Sequence, residues 1–149
     1  MTAVARERGT RAFQQIMIDG KMVPTNINFT TEAGGPDVCE VEICVADCGG
    51  NPVPGSHALD VYFSDSVDGL GLTTNDVRGV TVKEGSGTLI AETVSSAGSK
   101  AFKVVTGKDG KVVLEITDEA HPSFRVVSSI PSLGLMVVSV PLIDADYGE

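Results

Sequence analysis

The stretch from Val45 to Ser64, VADCGGNPVPGSHALDVYFS, constrains the fold of this chain more than any other. It begins at the end of one apolar-alternating run, and it ends in a second run in which Leu59, Val61 and Phe63 alternate with polar residues. The residues between the two runs include three glycines and two prolines, which set the backbone angles that turns need. The sequence therefore predicts two strands joined by a stiff corner.

Short apolar-alternating runs recur along the rest of the chain, and turn residues separate them. The chain has 149 residues, which suits one domain with its own core. Aromatic residues make up only 5% and tryptophan is absent, and the frequent valines, glycines and threonines favour strands over helices. We therefore predict an all-β, antiparallel β-sandwich of about 7–9 strands. The predicted strands are 27–31, 39–46, 58–64, 77–83, 88–94, 101–106, 111–117, 124–129 and 135–140.

Two regions flank this predicted sandwich. We assign residues 1–24 to an N-terminal arm that includes a hairpin, residues 25–143 to the sandwich, and residues 144–149 to an acidic tail that we expect to be loose. Within the sandwich, the segment 107–110, Gly-Lys-Asp-Gly, gives the clearest hairpin prediction, between strands 101–106 and 111–117. Its second strand would point Val112, Leu114 and Ile116 inward.

The run 39–46 alternates cleanly between apolar and polar residues. Cys39, Val41 and Ile43 should face the core, whereas Glu40, Glu42 and Cys44 should face the other side of the sheet, which predicts an exposed Cys44. Cys39 and Cys44 are five positions apart on one strand, so they point to opposite faces and cannot form a disulfide with each other. With an odd count of three cysteines, free thiols in a reducing compartment are expected, and hence folding in a cytoplasm.

The net charge of −9 is unevenly distributed. Residues 1–22 carry four basic and two acidic side chains, a net charge of +2, whereas the remainder carries seven basic and 18 acidic side chains, a net charge of −11. An acidic body argues against nucleic-acid binding. The basic arm is either a frayed, solvated terminus or an arm that docks on an acidic neighbouring subunit, and three arginines make too small a patch for nucleic acid.

The arm also carries apolar residues that need a surface to cover. Asp19-Gly20 is a strong two-residue turn motif, and it predicts a hairpin between the run ending at Ile18 and the run 21–23. The start of the chain, MTAVARERGT, has no apolar segment typical of a secretory signal, and no run approaches the 18 or so apolar residues that span a membrane. We therefore expect no membrane partner.

Two motifs resemble a known family. The stretch 45–64 is similar to the strand–turn–strand core of bacterial immunoglobulin-like domains of the invasin and intimin type, V-x-D-x-x-G-N-P-V-P-G followed by a strand that ends in F-S. The segment 106–114, TGKDGKVVL, resembles the family's second hairpin motif, and the resemblance covers roughly residues 27–140. It implies an immunoglobulin-like sandwich. The matching positions in the first motif are Val45, Asp47, Gly50, Asn51, Pro52, Val53, Pro54, Gly55, Val61, Phe63 and Ser64.

The chain departs from the surface adhesins of that family in three ways. Residues 56–58 look like an insertion, the glycine-rich segment 68–87 has no clean match, and a basic arm replaces the secretion signal. Modules of this kind also occur in tailed-phage virion proteins, which are assembled in the host cytoplasm. That setting fits a lone domain with free thiols and an arm, and it implies a virion location.

No catalytic, cofactor-binding or metal site is predicted. His57 and His121 have no nucleophile or orienting residue near them in sequence, so both are interpreted as turn or surface histidines. Cys44 and Cys48, with Asp47 and His57, form only one loose ligand pair, whereas zinc sites usually have two close pairs. The segment 65–69, DSVDG, lacks the further carboxylates of a calcium loop, and Glu40 with Glu42 fits a solvated sheet face.

From these observations we expect a non-enzymatic virion structural protein of a tailed phage, most simply a capsid decoration or cementing protein. Its partners would be capsid or other virion subunits, in a homo-oligomeric arrangement on a symmetric particle, with no cofactor. The alternative is a receptor- or carbohydrate-binding module of a tail, fibre or cell surface, although the chain has few aromatic residues for such a site. The predicted partner-binding residues are Arg6, Arg8, Arg11, Phe13, Ile16, Ile18 and Met22.

Overall fold

A computed structural model describes residues 17–18, 21–95 and 98–149, with the backbone alone at 17–18, 21–22 and 94–95. These residues form eleven strands and two three-residue 3-10 turns, and none of the helical segments among them is long and apolar enough to cross a membrane. The strands are β1 (Met17–Ile18), β2 (Lys21–Met22), β3 (Asn26–Ala33), β4 (Val38–Ala46), β5 (Ala58–Ser64), β6 (Gly79–Val82), β7 (Gly87–Ser95), β8 (Gly98–Thr106), β9 (Lys111–Thr117), β10 (Arg125–Ile130) and β11 (Leu135–Val138).

Two antiparallel sheets form the body, which confirms the predicted β-sandwich. One sheet has four strands in the order β3-β4-β9-β6, and the other has five in the order β11-β10-β5-β8-β7. If β7 and β8 are set aside, the two sheets have the strand order ABED and GFC of a constant-type immunoglobulin domain. The hairpin β7–β8 is added between the fourth and fifth of those strands, and it widens the five-stranded sheet beside β5.

The strand β4 shows why the sheets pack face to face. Cys39, Val41, Ile43 and Val45 alternate along it and are fully buried, as their spacing predicts. In the opposite sheet, β5 directs Leu59, Val61 and Phe63 toward them. Because every second residue of each strand is apolar, one face of each sheet must leave water, and burying these faces against each other is the main driving force for folding.

An aromatic cluster lies in the centre of this core. The ring centroid of Phe63 is 5.3 Å from that of Phe102 on β8 and 4.3 Å from that of Phe124, which precedes β10. Tilted rings at these distances are a favoured aromatic arrangement. Burying a phenylalanine side chain contributes about 1.5–3 kcal/mol, so this cluster holds three strands of one sheet together.

The predicted hairpin between β8 and β9 is wrong, because these strands belong to different sheets. The turn is closed locally, since the N–H of Gly107 donates to the carbonyl of Lys111 at 2.9 Å. Beyond it the strands diverge, and β8 pairs with β5 and β7 while β9 pairs with β4 and β6. The turn therefore crosses from one sheet to the other. The apolar residues of β9 pack in the core between the sheets.

The corner that follows β4 holds this crossing in place. The N–H of Gly55 donates to the carbonyl of Lys108 at 2.6 Å, and the N–H of Val45 donates to that of Gly110 at 2.9 Å. Val53, between the two prolines, is buried in the core. The proline-rich corner is therefore a support for the sheet-to-sheet crossing as well as a connection between β4 and β5.

The acidic tail packs on the sandwich, so the expectation that it is loose was wrong. Tyr147 is buried, and its hydroxyl donates to the carbonyl of Pro122 at 2.6 Å. Gly148 donates its N–H to the carbonyl of Val38 at 2.9 Å and accepts the N–H of Asp37 at 2.7 Å. The tail thus adds backbone pairing beside the start of β4, which the acidic composition alone did not indicate.

We predict that Gly110→Ala destabilises the domain more than Gly50→Ala. Both glycines have positive φ, at 78° and 83°, where an alanine costs about 1–2 kcal/mol. A Cβ at Gly110 would also overlap the carbonyl oxygen of Val53, whereas one at Gly50 meets open space. We expect a loss of about 2–5 kcal/mol for Gly110→Ala, measured by urea unfolding. Equal losses in the two variants would contradict the supporting role of the corner.

Candidate interaction surfaces

The predicted hairpin of the arm is present as a pair of two-residue strands. In β1 and β2, Met17 pairs with Met22 and Ile18 with Lys21, which leaves a two-residue connection at 19–20, outside the described residues. This pair is a sheet of its own and joins neither sheet of the sandwich. An isolated two-stranded ribbon is marginally stable in water, so it needs a further surface. Of the predicted partner-binding residues, Arg6, Arg8, Arg11, Phe13 and Ile16 lie outside the described residues.

The root of the arm adjoins two buried polar atoms. The N–H of Thr25 donates to the carbonyl of Ala46 at 2.9 Å, beside the Asn26–Ala46 pair at which the β3–β4 pairing ends. Among the described residues, Thr25 Oγ1 and Asp47 Oδ2 have no hydrogen-bond partner although both are buried. Leaving such atoms unpaired costs free energy, so an ordered water or an incoming donor at this end of the sandwich would stabilise it.

Two of the four residues weighed as a metal site, Asp47 and His57, serve other roles in the corner. Asp47 Oδ1 accepts the N–H groups of Gly49 at 2.9 Å and Asn51 at 3.0 Å, an arrangement that fixes the turn. His57 Nε2 lies 3.0 Å from the carbonyl oxygen of Val53. The described part of the chain contains no group of three or more His, Cys, Asp or Glu side chains placed to hold a metal ion.

The expectation of an exposed Cys44 was wrong, because this thiol is buried. Its neighbours in register are Asn28 on β3 and Lys111 on β9, which flank it on the outer face of a central strand. Burial raises the pKa of Cys44, and burial, with Asp146 and Glu40 nearby, raises the pKa of Cys39 to about 12. Both residues are free thiols that stay protonated near neutral pH, where a nucleophilic cysteine would need a lowered pKa.

Two carboxylates of that sheet face, Glu40 and Glu42, are paired with lysines. Lys83 Nζ lies 2.9 Å from Glu40 Oε1, and Lys111 Nζ lies 3.9 Å from Glu42 Oε1. These ion pairs are partly exposed, so each contributes about 0–1 kcal/mol. The arrangement is that of a solvated sheet face, as the sequence predicts for Glu40 and Glu42.

A folded loop covers part of the outer face of the five-stranded sheet. Asp65 accepts the hydroxyl of Thr73 at 2.5 Å and the N–H of Thr74 at 2.9 Å, and these hydrogen bonds lower the pKa of the Asp65 carboxyl. The hydroxyl of Tyr62 on β5 donates to the carbonyl of Gly69 at 2.5 Å. Because this loop lies against Val127 on β10, that outward-facing side chain is buried.

The same region carries most of the exposed large apolar side chains. Tyr62 contacts Met136 on β11 as well as Gly69, so the loop and β11 are adjacent. The strand β11 ends its sheet and pairs only with β10. We call this region the β11 edge; its exposed apolar residues are Val67, Leu70, Leu72, Leu133, Met136, Val140 and Ile143. An apolar region of this kind marks a possible contact surface for another macromolecule.

A shallow groove of about 340 Å³ lies beside Tyr62 on the outer face of the same sheet. Small side chains form its floor, and an ion pair of 3.5 Å between Lys103 Nζ and Asp60 Oδ1 lies at one side. Its outward-facing residues are Asp60, Tyr62, Ala91, Thr93, Ala101 and Lys103. The outward-facing residues of the groove offer one aromatic ring and two charged groups to a ligand.

The structure also assembles a cluster around His121 that the sequence did not indicate. His121 Nδ1 lies 2.6 Å from Asp144 Oδ1, and its Nε2 lies 2.8 Å from Asp37 Oδ1. The imidazole stacks on Tyr147 with ring centroids 4.7 Å apart and an angle of 4° between the rings. The partners are 84, 23 and 26 positions away, so no local pattern could have identified them.

Comparison with known proteins adds no functional assignment. No protein-family model matches the chain, and none of the curated proteins is significantly similar to it. The function is therefore argued below from the surfaces of the domain.

We predict that Tyr62→Phe loosens the loop over the five-stranded sheet. Removing the hydroxyl deletes its hydrogen bond to Gly69, which should cost about 1 kcal/mol in unfolding free energy. The amides of Gly69 and Thr73, which donate to Ser66 and Phe63, should exchange with solvent faster. Tyr147→Phe is the matched control, because it removes a hydroxyl at the tail and should leave these two amides unchanged. Unaltered exchange in Tyr62→Phe would contradict this role of the hydroxyl.

Proposed function

We propose that the protein is a non-enzymatic virion structural protein of a tailed phage, a capsid decoration or cementing protein that docks through its N-terminal arm. The observation that carries the proposal is the separate β1–β2 pair. It precedes a complete two-sheet sandwich, pairs with neither sheet, and belongs to an arm with apolar and basic residues. An arm of this composition is suited to cover a neighbouring subunit.

Apolar burial would supply most of the binding free energy. Exposed ion pairs contribute about 0–1 kcal/mol each, so Arg6, Arg8 and Arg11 alone give weak and salt-sensitive binding. Burying Phe13 and the aliphatic side chains of the arm contributes about 25 cal/mol per Å² of apolar surface. On a symmetric particle, many copies bind side by side, and multivalency strengthens such contacts further.

The body of the domain suits a passive structural role. The histidines described above are engaged by the carbonyl of Val53 or by two carboxylates, and the thiols of Cys39 and Cys44 are buried. The acidic body, with a net charge of −11, would keep copies apart except where an oppositely charged arm joins them. The immunoglobulin strand order supports the proposed kinship with the invasin and intimin type of module found in virion proteins. Assembly in the host cytoplasm is consistent with the free thiols of Cys39 and Cys44.

The test is co-sedimentation of full-length variants with intact phage particles. We predict that Phe13→Ala/Ile16→Ala/Ile18→Ala removes more particle binding than Arg6→Gln/Arg8→Gln/Arg11→Gln, because apolar burial outweighs exposed ion pairs. Removal of residues 1–22 should abolish binding, and circular dichroism checks that the sandwich remains folded. The matched control is Ile90→Ala, which changes an exposed apolar residue on β7, outside the arm sequence. Undiminished binding after removal of the arm would sink the docking proposal.

A second candidate function rests on the groove beside Tyr62. A receptor- or carbohydrate-binding module would use this ring together with Asp60 and Lys103. Glycan and host-cell binding by the protein should then be lost on Ala101→Arg, which fills the groove, and kept when the arm is removed. The arm proposal predicts the reverse pattern for particle binding, so one set of variants separates the two functions.

A further inference from the structure

We infer that His121 is a pH-dependent latch that holds the C-terminal segment 144–149 on the sandwich when its imidazole is protonated and lets it detach when the imidazole is neutral. The latch joins three parts of the chain that are far apart in sequence. Asp37 lies in the β3–β4 turn, His121 lies between β9 and β10, and Asp144 begins the C-terminal 3-10 turn. The inference concerns a property of the domain and does not depend on what the arm binds.

The geometry at the two ring nitrogens favours a charged imidazole. Nδ1 and Nε2 each lie within hydrogen-bond distance of a carboxylate oxygen, at 2.6 and 2.8 Å. An ionised carboxylate only accepts hydrogen bonds, so each nitrogen must carry a proton, and only imidazolium carries both. A neutral imidazole donates through one nitrogen, and it would present a lone pair to one of the two carboxylates. Loss of a proton from the imidazole therefore breaks the hydrogen bond to one of the two carboxylates.

The groups that face the imidazole favour its charged form. The Asp144 and Asp37 carboxylates hydrogen-bond to the ring and raise the pKa of His121 above its ordinary value, although desolvation of the ring opposes them. The ring of Tyr147 stacks on one face. The backbone N–H of His121 donates to the carbonyl of Asp118 at 3.1 Å, while the carboxylate of Asp118 accepts the N–H of Arg78 and that of Ala120.

The direction of the pH effect follows from this raised pKa. A histidine whose pKa is higher in the latched than in the detached state binds its proton more tightly when latched. Its contribution is complete below the ordinary pKa of 6.5 and is lost as the pH rises through the raised value. The segment should therefore be held at mildly acidic pH and should detach progressively at alkaline pH.

The hydrogen bond that breaks is the one between His121 and Asp144. The side chain of Asp144 is 89% exposed, whereas that of Asp37 is 44% exposed, so water replaces the lost contact to Asp144 more easily.

Detachment would uncover a defined part of the sandwich. Tyr147 would leave its buried position, and the N–H of Asp37 and the carbonyl of Val38 would lose their pairing with Gly148. Cys39 adjoins the tail, since Asp146 raises the pKa of its thiol. The open form therefore presents unpaired backbone groups at the start of β4, next to a buried thiol.

The test uses Tyr147 as a fluorescent reporter. The chain has two tyrosines and no tryptophan, so in Tyr62→Phe all tyrosine emission comes from Tyr147. We measure quenching by acrylamide, a neutral quencher, between pH 5.5 and 9. We expect the quenching constant to rise at least threefold across this range, because Tyr147 moves from a buried to a solvated position.

Three further variants, also made in the Tyr62→Phe background, test this interpretation of the quenching. His121→Gln should be strongly quenched at both pH values, since glutamine cannot donate to two carboxylates with a positive charge. His121→Arg keeps the charge and several donors, so weak quenching at every pH is expected. Gly148→Ala is the positive control for an open tail, because a Cβ there would overlap the carbonyl oxygen of Gly35.

Two outcomes would overturn the latch: quenching that does not change with pH, or a rise with pH that persists in His121→Gln. Hydrogen exchange at the Gly148 and Asp37 amides of the unmodified protein provides an independent measurement, and it applies even if Tyr62→Phe folds poorly. After correction for the intrinsic pH dependence of exchange, both amides should lose protection at alkaline pH. The Val45 amide, which donates to Gly110 at the far end of the sandwich, should keep its protection.

Discussion

Burial of two apolar sheet faces against each other is the interaction on which the rest of the structure depends. The alternate residues of β4 and β9 meet those of β5, β8 and β10, with Phe63 in contact with two other aromatic rings at the centre. The paired faces decide which sheet each strand joins, because a strand placed in the wrong sheet would leave its apolar residues in water. The corner at Val53 and the crossing at Gly110 are supported by this core, since both connect strands that it has already positioned.

The two ends of the sandwich carry different segments of the chain. The arm enters beside Ala46, where the corner, the crossing turn and the unpaired atom of Asp47 lie together. The opposite end of β4 begins at Val38, and there the tail pairs through Gly148 and is clamped by His121. An arm that engages a neighbour and a tail that responds to pH would therefore act at opposite ends of one rigid body, with β3 and β4 running between them.

The surfaces of the domain also differ in the charge that they carry. Two carboxylates on the outer face of the four-stranded sheet, Glu40 and Glu42, are paired with lysines, whereas the β11 edge is apolar. The latch is unusual among these groups because two carboxylates share one imidazole, which makes the interaction depend on a proton near neutral pH. The acidic body thus has one face suited to water, one apolar edge, and one end whose structure depends on pH.

The sequence by itself determined the strands, because apolar alternation and turn residues are local. The run 39–46, the corner at Pro52 and the arm hairpin at 19–20 were all predictable, and so was a sandwich as the way to bury the alternating faces. The arm as a binding region was also argued from sequence alone, from its charge and its apolar residues. It remains a prediction, since its key residues precede those that the structure describes.

Only the tertiary structure decided where these local elements go. The turn 107–110 has the same sequence whether it closes a hairpin or crosses between sheets, and the choice is made by which core face accepts β9. Cys44 is buried because of its neighbours on β3 and β9, which its own alternation could not reveal. The His121 cluster depends on contacts between residues 84 positions apart, so no local pattern encodes it, and the pairing of the tail exists only once the sandwich has formed.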